Sequence, residues 1–302
     1  DNNHRILPWR VSKNSSKNLY YRVLSEFMLQ QTQVKTVIPY FIKFIKKYPN
    51  ITTLSRAKTN SVMKLWEGLG YYRRARFLLQ TSKIIVYKYK LKLPSDVNKI
   101  KELPGIGDYT ANALSALVNN KATIGIDGNV KRVFSRIFNI REEKIDFKKI
   151  FSLNQKKLFL SGRNSDFAEA IMEFGALICK PMNPYCSKCN IKKNCKSFMK
   201  KKIISQKNSK KISKKKYDIF CYINKNKQIA LTKKNKLGFL QMSNMPIVKK
   251  RSKNINSNWR LLKNYNNIIS NKKLNINLYY KFSSKIPDNL NWFSMERNKD
   301  FI

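Results

Sequence analysis

Apolar residues recur at helical spacing through most of the first 180 positions. The stretches YYRVLSEFMLQQTQVKTVIPYFIKFIKKY (20–48), SVMKLWEGLGYYRRARFLLQTSKIIVYKY (61–89) and YTANALSALV (109–118) each carry the pattern. Pro39, Pro49, Gly68, Gly70, Pro94, Pro104, Gly105 and Gly107 punctuate it. The pattern predicts helix after helix from about residue 19 to about 180. Within it, SEFMLQQTQV (25–34) reads as one apolar helical stretch with a single acid, Glu26, between Leu24 and the Phe27–Leu29 run. A carboxylate among apolar neighbours is paired, protonated or working.

The texture changes after the helices. From Lys192 to Lys216 there are twelve Lys and no acid. Residues 201–216 read as a solvated basic linker. Beyond it, YDIFCYI, QIALTKK, LNINLYYKF and NWFSM read as short strands separated by turns. The expected organisation is an all-α part, a boundary near residue 210, and a smaller α+β or β part over 217–302. No internal repeat is present. No run of 18 apolar residues occurs, so no membrane span is expected.

Composition adds a partner class. The 302 residues are 42% hydrophobic, enough for two folded domains. The net charge is +46, which points to a polyanion, most often nucleic acid. Lys, Asn and Ile are abundant throughout, so part of that excess reads as compositional drift. The opening DNNHRILPWR has no apolar signal region, which implies a cytoplasmic, nucleoid-associated protein. It also lacks an initial Met and reads as a fragment or truncation.

Three motifs carry candidate chemistry. CKPMNPYCSKCNIKKNC spaces Cys179, Cys186, Cys189 and Cys195 as C-x6-C-x2-C-x5-C. Four thiolates on one short segment can hold one metal centre, and the spacing favours an iron–sulfur cluster. Zinc is the alternative, although zinc sites usually pair two C-x2-C knuckles. LPGIGDYTANAL (103–114) contains a Gly-x-Gly turn that opens a helix, a geometry suited to a phosphate or to a plain helix–turn–helix loop. IGIDGNVKRVFSR (124–136) sets Asp127 just before a helix, as an N-cap or as a carboxylate that stabilises a cation. Trp9 and Trp66 read as core.

In order and spacing these motifs resemble the helix-hairpin-helix DNA glycosylases that carry an iron–sulfur cluster, over roughly residues 5–200. SEFMLQQTQVKTVIPYF, LWEGLGYYRRAR and IDGNVKRV resemble the adenine DNA glycosylases within that superfamily. The resemblance implies a mainly α, helix-hairpin-helix glycosylase fold with a 4Fe-4S cluster loop over residues 1–200. It would comprise a six-helix module over about 19–125 and a cluster subdomain from the N-terminal segment plus about 126–200. A reduced Nudix-like α+β domain would follow over 217–302. It implies a monomeric, monofunctional enzyme that removes adenine mispaired with 8-oxoguanine or guanine in double-stranded DNA.

By the same resemblance, Glu26 protonates the extruded adenine and Asp127 stabilises the sugar cation. Asn129 holds the catalytic groups, and Tyr109 stands where lyase-active relatives carry a catalytic Lys. Arg10 and Glu169 contact the adenine, and Gln31 and Tyr71 wedge into the duplex. Leu103, Pro104, Gly105, Ile106 and Gly107 form the DNA-gripping hairpin, and the four clustered cysteines bind the cluster. The chain departs from the family at its end. The Phe-Ser-His element that helps sense 8-oxoguanine is matched by Ile269-Ser270-Asn271, which keeps only Ser270. The alternatives are a thymine-releasing G-mismatch glycosylase of the same superfamily and a decayed, non-catalytic DNA-binding protein.

Overall fold

The computed structural model describes residues 5–147, 149–150, 158–159, 162–201, 213–232, 244–251, 255–269 and 272–295. Ser270 and Asn271 lie outside the described residues. The chain divides into two compact units, Asp1–Gln206 and Lys207–Ile302.

The first unit is helical. Its α-helices with defined bounds among the described residues are α1 (Asn18–Leu29), α2 (Val34–Lys47), α3 (Ile51–Ser55), α4 (Thr59–Trp66), α5 (Arg73–Tyr87), α6 (Val97–Lys101), α7 (Asp108–Asn119), α8 (Gly128–Phe138), α9 (Asn164–Leu177) and α10 (Lys196–Met199). Two apolar clusters hold them together. The larger gathers Trp9, Leu24, Phe27, Phe41, Phe44, Trp66, Leu78 and Leu114, all buried. The smaller gathers Ala116, Leu117, Ile124, Val130, Phe134 and Ala168. Helix α7 belongs to both, so it fixes α1 on one side relative to α8 and α9 on the other. Each buried Val, Leu, Ile or Phe among them contributes about 1.5–3 kcal/mol by leaving water. Among the described residues no helix is long and apolar enough to cross a membrane.

The stretch expected to run as one helix from Ser25 to Val34 is broken. α1 stops at Leu29, and Gln31 sits in a loop at φ 56°. The polar run Gln30-Gln31-Thr32-Gln33 offers nothing to bury. The free carbonyls at the helix end are taken by Arg74, which donates to Phe27 O, Met28 O and Gln30 O at 3.1, 2.7 and 2.6 Å.

The second unit is a six-stranded sheet. Its strands are β1 (Ser213–Ile223), β2 (Gln228–Leu231), β3 (Ile247–Lys250), β4 (Arg260–Ile269), β5 (Lys272–Phe282) and β6 (Asn291–Ser294). The order is β4-β5-β1-β2-β6, with β3 paired to β1. β1 and β5 run parallel over their full length, and the other pairings are antiparallel. β1 begins inside the stretch expected to be linker. Ser213–Lys216 pair with Lys272–Asn275. Three consecutive lysines reach solvent from a backbone whose ladder bonds are indifferent to side-chain charge. β3 and β4 carry too little alternation to be read from sequence. β4 is exposed from Leu261 to Ile268.

Candidate active site

Glu26 lies on the buried face of α1, only 6% exposed, and its Oε2 has no hydrogen-bond partner. Burial raises its pKa from the ordinary 4.5 to about 7. Arg22, one turn earlier, and the Tyr109 hydroxyl oppose that rise, while the negative charges of Asp127 and Glu169 add to it. α7, α8 and α9 therefore all bring polar groups towards this one carboxyl. Tyr109 also donates to Met172 Sδ at 3.6 Å, and burial together with Glu26 raises its own pKa well above normal. No amine stands at that position.

Asp127 is fixed at both of its carboxylate oxygens. It is the N-cap of α8, and its Oδ1 accepts from Val130 N at 2.7 Å. Its Oδ2 accepts from Asn129 Nδ2 at 2.9 Å, which aims the second oxygen. Asn129 Oδ1 in turn accepts from Arg132 Nη2 at 2.8 Å. Arg132 also donates to Gly175 O at 2.7 Å and to Cys179 O at 2.8 Å. A continuous chain of bonds thus links the first clustered cysteine to Asp127. Gly175 permits it, because a Cβ there would stand 2.7 Å from Asn129 Cβ.

Arg10 and Glu169 are together, but neither is free. Arg10 bridges Glu169 and Glu173, both at 2.7 Å. Glu169 is also gripped by Arg22 at 2.7 Å, and Glu173 by Arg5 at 2.6 Å. Burial would raise Glu173, but the bonds from Arg5 and Arg10 outweigh it and draw its pKa down to about 2. This network fastens the N-terminal segment to α9 beside Glu26. Sequence reasoning missed Arg5, Arg22 and Glu173. Glu169 and Glu173, four apart on one helix, were the available signal.

The hairpin joins α6 to α7. Gly105 has φ +78°, and a Cβ there would meet Phe77 at 2.7 Å, so only glycine fits. Thr81 Oγ1 donates to Pro104 O at 2.9 Å, and Gln30 Nε2 donates to Gly105 O at 3.3 Å. Leu103 and Ile106, expected among the DNA-gripping residues, are buried in the larger core. Gly105 and Gly107 are the exposed members. Gln31 and Tyr71 are both exposed and both left-handed, at φ 56° and 48°. Arg74 joins their loops.

Cys179, Cys186, Cys189 and Cys195 line one cavity with Val133, Arg136, Phe174, Ile178 and Phe198. All four are free thiols. Burial and then the neighbouring thiols raise the Cys186 pKa, so the sulfurs sense one another. Arg136 donates to Cys179 Sγ at 3.4 Å. Among the described residues no three His, Cys, Asp or Glu side chains converge tightly enough to hold a single metal ion. Four thiols round one apolar cavity are a donor set that fits a thiolate-bound metal centre.

Residues 24–157 match the HhH-GPD superfamily base excision DNA repair protein family. The adenine DNA glycosylase of Buchnera aphidicola subsp. Baizongia pistaciae is 39% identical over 78% of this chain and 66% of its own length. That of Buchnera aphidicola subsp. Schizaphis graminum is 32% identical over 99% of this chain and 91% of its own. The human adenine DNA glycosylase is 36% identical, and the chain spans 37% of its length. A solved thermostable thymine-DNA glycosylase superposes with TM-score 0.56 at 28% identity, covering 65% of this chain and 89% of that one. Endonuclease III in a trapped covalent DNA complex superposes with TM-score 0.51 at 19% identity, covering 63% and 89%, which shows the shared fold. With near-complete coverage of one relative, the chain belongs to the adenine DNA glycosylase family of the HhH-GPD base excision repair superfamily.

Proposed function

We propose that this chain hydrolyses the N-glycosidic bond of adenine mispaired with 8-oxoguanine or guanine, leaving an abasic site. The observation that carries the reading is a buried carboxyl, Glu26, with one oxygen lacking a hydrogen-bond partner, in electrostatic reach of a second carboxylate, Asp127, fixed by its own helix. Glu26, half protonated near neutral pH, gives its proton to a ring nitrogen of the extruded adenine. The electrons of the bond to the sugar leave with the base. Asp127 stabilises the cation left on the sugar. Water then bonds to that carbon and returns a proton to Glu26. This is two-carboxylate glycoside chemistry applied to a nucleoside.

Arg10 and Glu169 shape the wall that meets the adenine. Gln31 and Tyr71 enter the duplex where the base has left, offsetting an extrusion cost of about a few kcal/mol. The Gly105–Gly107 turn offers exposed N–H groups to a phosphate. With Tyr109 in place of an amine, that residue forms no Schiff base, and strong lyase activity is not expected.

The four cysteines are read as holding one 4Fe-4S cluster, which would brace their loop for contact with the DNA backbone. Purified protein should carry about four irons and matching sulfide, with broad visible absorbance. A colourless protein with stoichiometric zinc would overturn this. The strand-rich second unit is read as a reduced form of the family's lesion-sensing domain. Its support is a mixed sheet with a long parallel pair, and the Ser270 element lies outside the described residues.

Single-turnover assays on A:8-oxoguanine, A:G and T:G duplexes test the reading. Adenine should be released from the first two while the T:G duplex stays intact. The similarity to a thymine-DNA glycosylase supports a second reading, for which thymine release alone would be the evidence. Mispair binding without release of any base would mark a non-catalytic protein.

A further inference from the structure

Arg74 is an interior cation whose six hydrogen bonds all end on neutral oxygens. Nη1 donates to Phe27 O, Met28 O and Gln30 O, and Nη2 donates to Thr32 Oγ1, Leu69 O and Gly70 O at 3.1–3.2 Å. The residue is 6% exposed. Its guanidinium also lies over the rings of Trp66 and Tyr71, at 5.3 and 5.4 Å. Trp66 Nε1 donates to Gly70 O at 3.0 Å from the same pocket.

These acceptors bracket two specific residues. Gln30 O and Thr32 Oγ1 flank Gln31, and Gly70 O precedes Tyr71. Gln31 and Tyr71 both hold left-handed backbone, which bulky residues keep only where their surroundings over-determine it. The two terminal nitrogens of one planar guanidinium supply that determination to both loops at once, while its Nε has no partner. A lysine carries three donors on a point charge and cannot span the same acceptors.

We propose that Arg74 is a positioning residue for base extrusion. It locks Gln31 and Tyr71 into one two-pronged wedge and so governs release of an adenine that must be pulled from a paired stack. The proposal rests on the glycosylase reading above and deepens it.

The test compares two duplexes, adenine opposite 8-oxoguanine and adenine opposite an abasic-site analogue. In the second there is no partner base, so extrusion is easier. In single-turnover assays Arg74→Lys should slow release from A:8-oxoguanine by about 10²-fold, as small misplacements do. On the abasic-opposed duplex the loss should be at most about tenfold, because less unpairing is required. Thr32→Val removes one acceptor and should give a smaller loss with the same selectivity. Equal losses on both duplexes, or none, would overturn the proposal. If circular dichroism shows Arg74→Lys unfolded, the Thr32→Val pattern decides by the same criterion. Wild-type protein that releases adenine from neither duplex would overturn the glycosylase reading itself, an outcome distinct from active enzyme whose variants lack the selectivity.

Discussion

Glu26→Gln is expected to abolish adenine release and, above neutral pH, to stabilise the fold. Loss of a general acid costs about 10²–10⁴ in rate. The wild-type rate should fall about tenfold per pH unit above about 7, where Glu26 loses its proton. The residual rate of the Gln variant should not follow that profile. The stability effect has the opposite sign. Below pH 4.5 the carboxyl is protonated in both the folded and the unfolded chain, and folding carries no ionisation penalty. Between 4.5 and about 7 only the unfolded chain ionises, so stability drops as pH rises. Above about 7 the full penalty, about 3 kcal/mol, is present. Glutamine cannot ionise. The stability difference between variant and wild type should therefore grow by about 3 kcal/mol from pH 4.5 to 8. Urea unfolding at both pH values measures it. Parallel stability curves would show that Glu26 is not held neutral by its surroundings.

That prediction depends on α1, which the sequence made legible. Apolar periodicity on both sides of Glu26 specifies a buried helix face, and a lone acid on such a face stands out. The expected helical continuation through Gln31 failed for a complementary reason. The polar run QQTQ has nothing to bury, but no Gly, Pro or capping signal in it marks Leu29 as the last helical residue. The group that ends the helix, Arg74, comes 44 residues after Gln30. Three arginines in YYRRAR look alike as text. Arg74 shares a helical face with Leu78, Thr81 and Ile85, all buried, and that spacing was the available sign. Arg132 and Arg136 follow the same rule on α8. Their spacing of four sets both on the inward stripe, but their acceptors at Gly175 and Cys179–Pro181 come from a distant helix and loop. Buried arginines satisfied by backbone carbonyls are long-range features, and short motifs cannot show them. In the second unit, Tyr217–Ile223 and Leu274–Phe282 announced themselves by β-branched and aromatic content. Lys214–Lys216 did not, because an exposed strand segment needs no apolar side chain.

Asp127 separates cap from catalyst more sharply than any other residue. If it were only the N-cap of α8, Asp127→Asn would leave activity near wild type, since Asn and Asp cap about equally well. If it stabilises a sugar cation, Asn fails, because an amide has no charge to offer. The expected result for Asp127→Asn is a rate loss of about 10²–10³-fold or more, as when an aimed electrostatic group is removed. A folding cost of about 1 kcal/mol should accompany it, since the Asn amide nitrogen would face Asn129 Nδ2 and lose that bond. Asp127→Ala should lose a comparable rate factor. It should cost about 2 kcal/mol, because the cap to Val130 N goes as well. The two variants should therefore match in single-turnover rate and differ in unfolding free energy, with mispair binding retained in both. The structural basis is that the two oxygens have separate partners. Oδ1 serves the helix, and Oδ2 is held by Asn129, itself held by Arg132. Substantial activity in Asp127→Asn would reduce Asp127 to a cap and leave Glu26 without a second carboxylate.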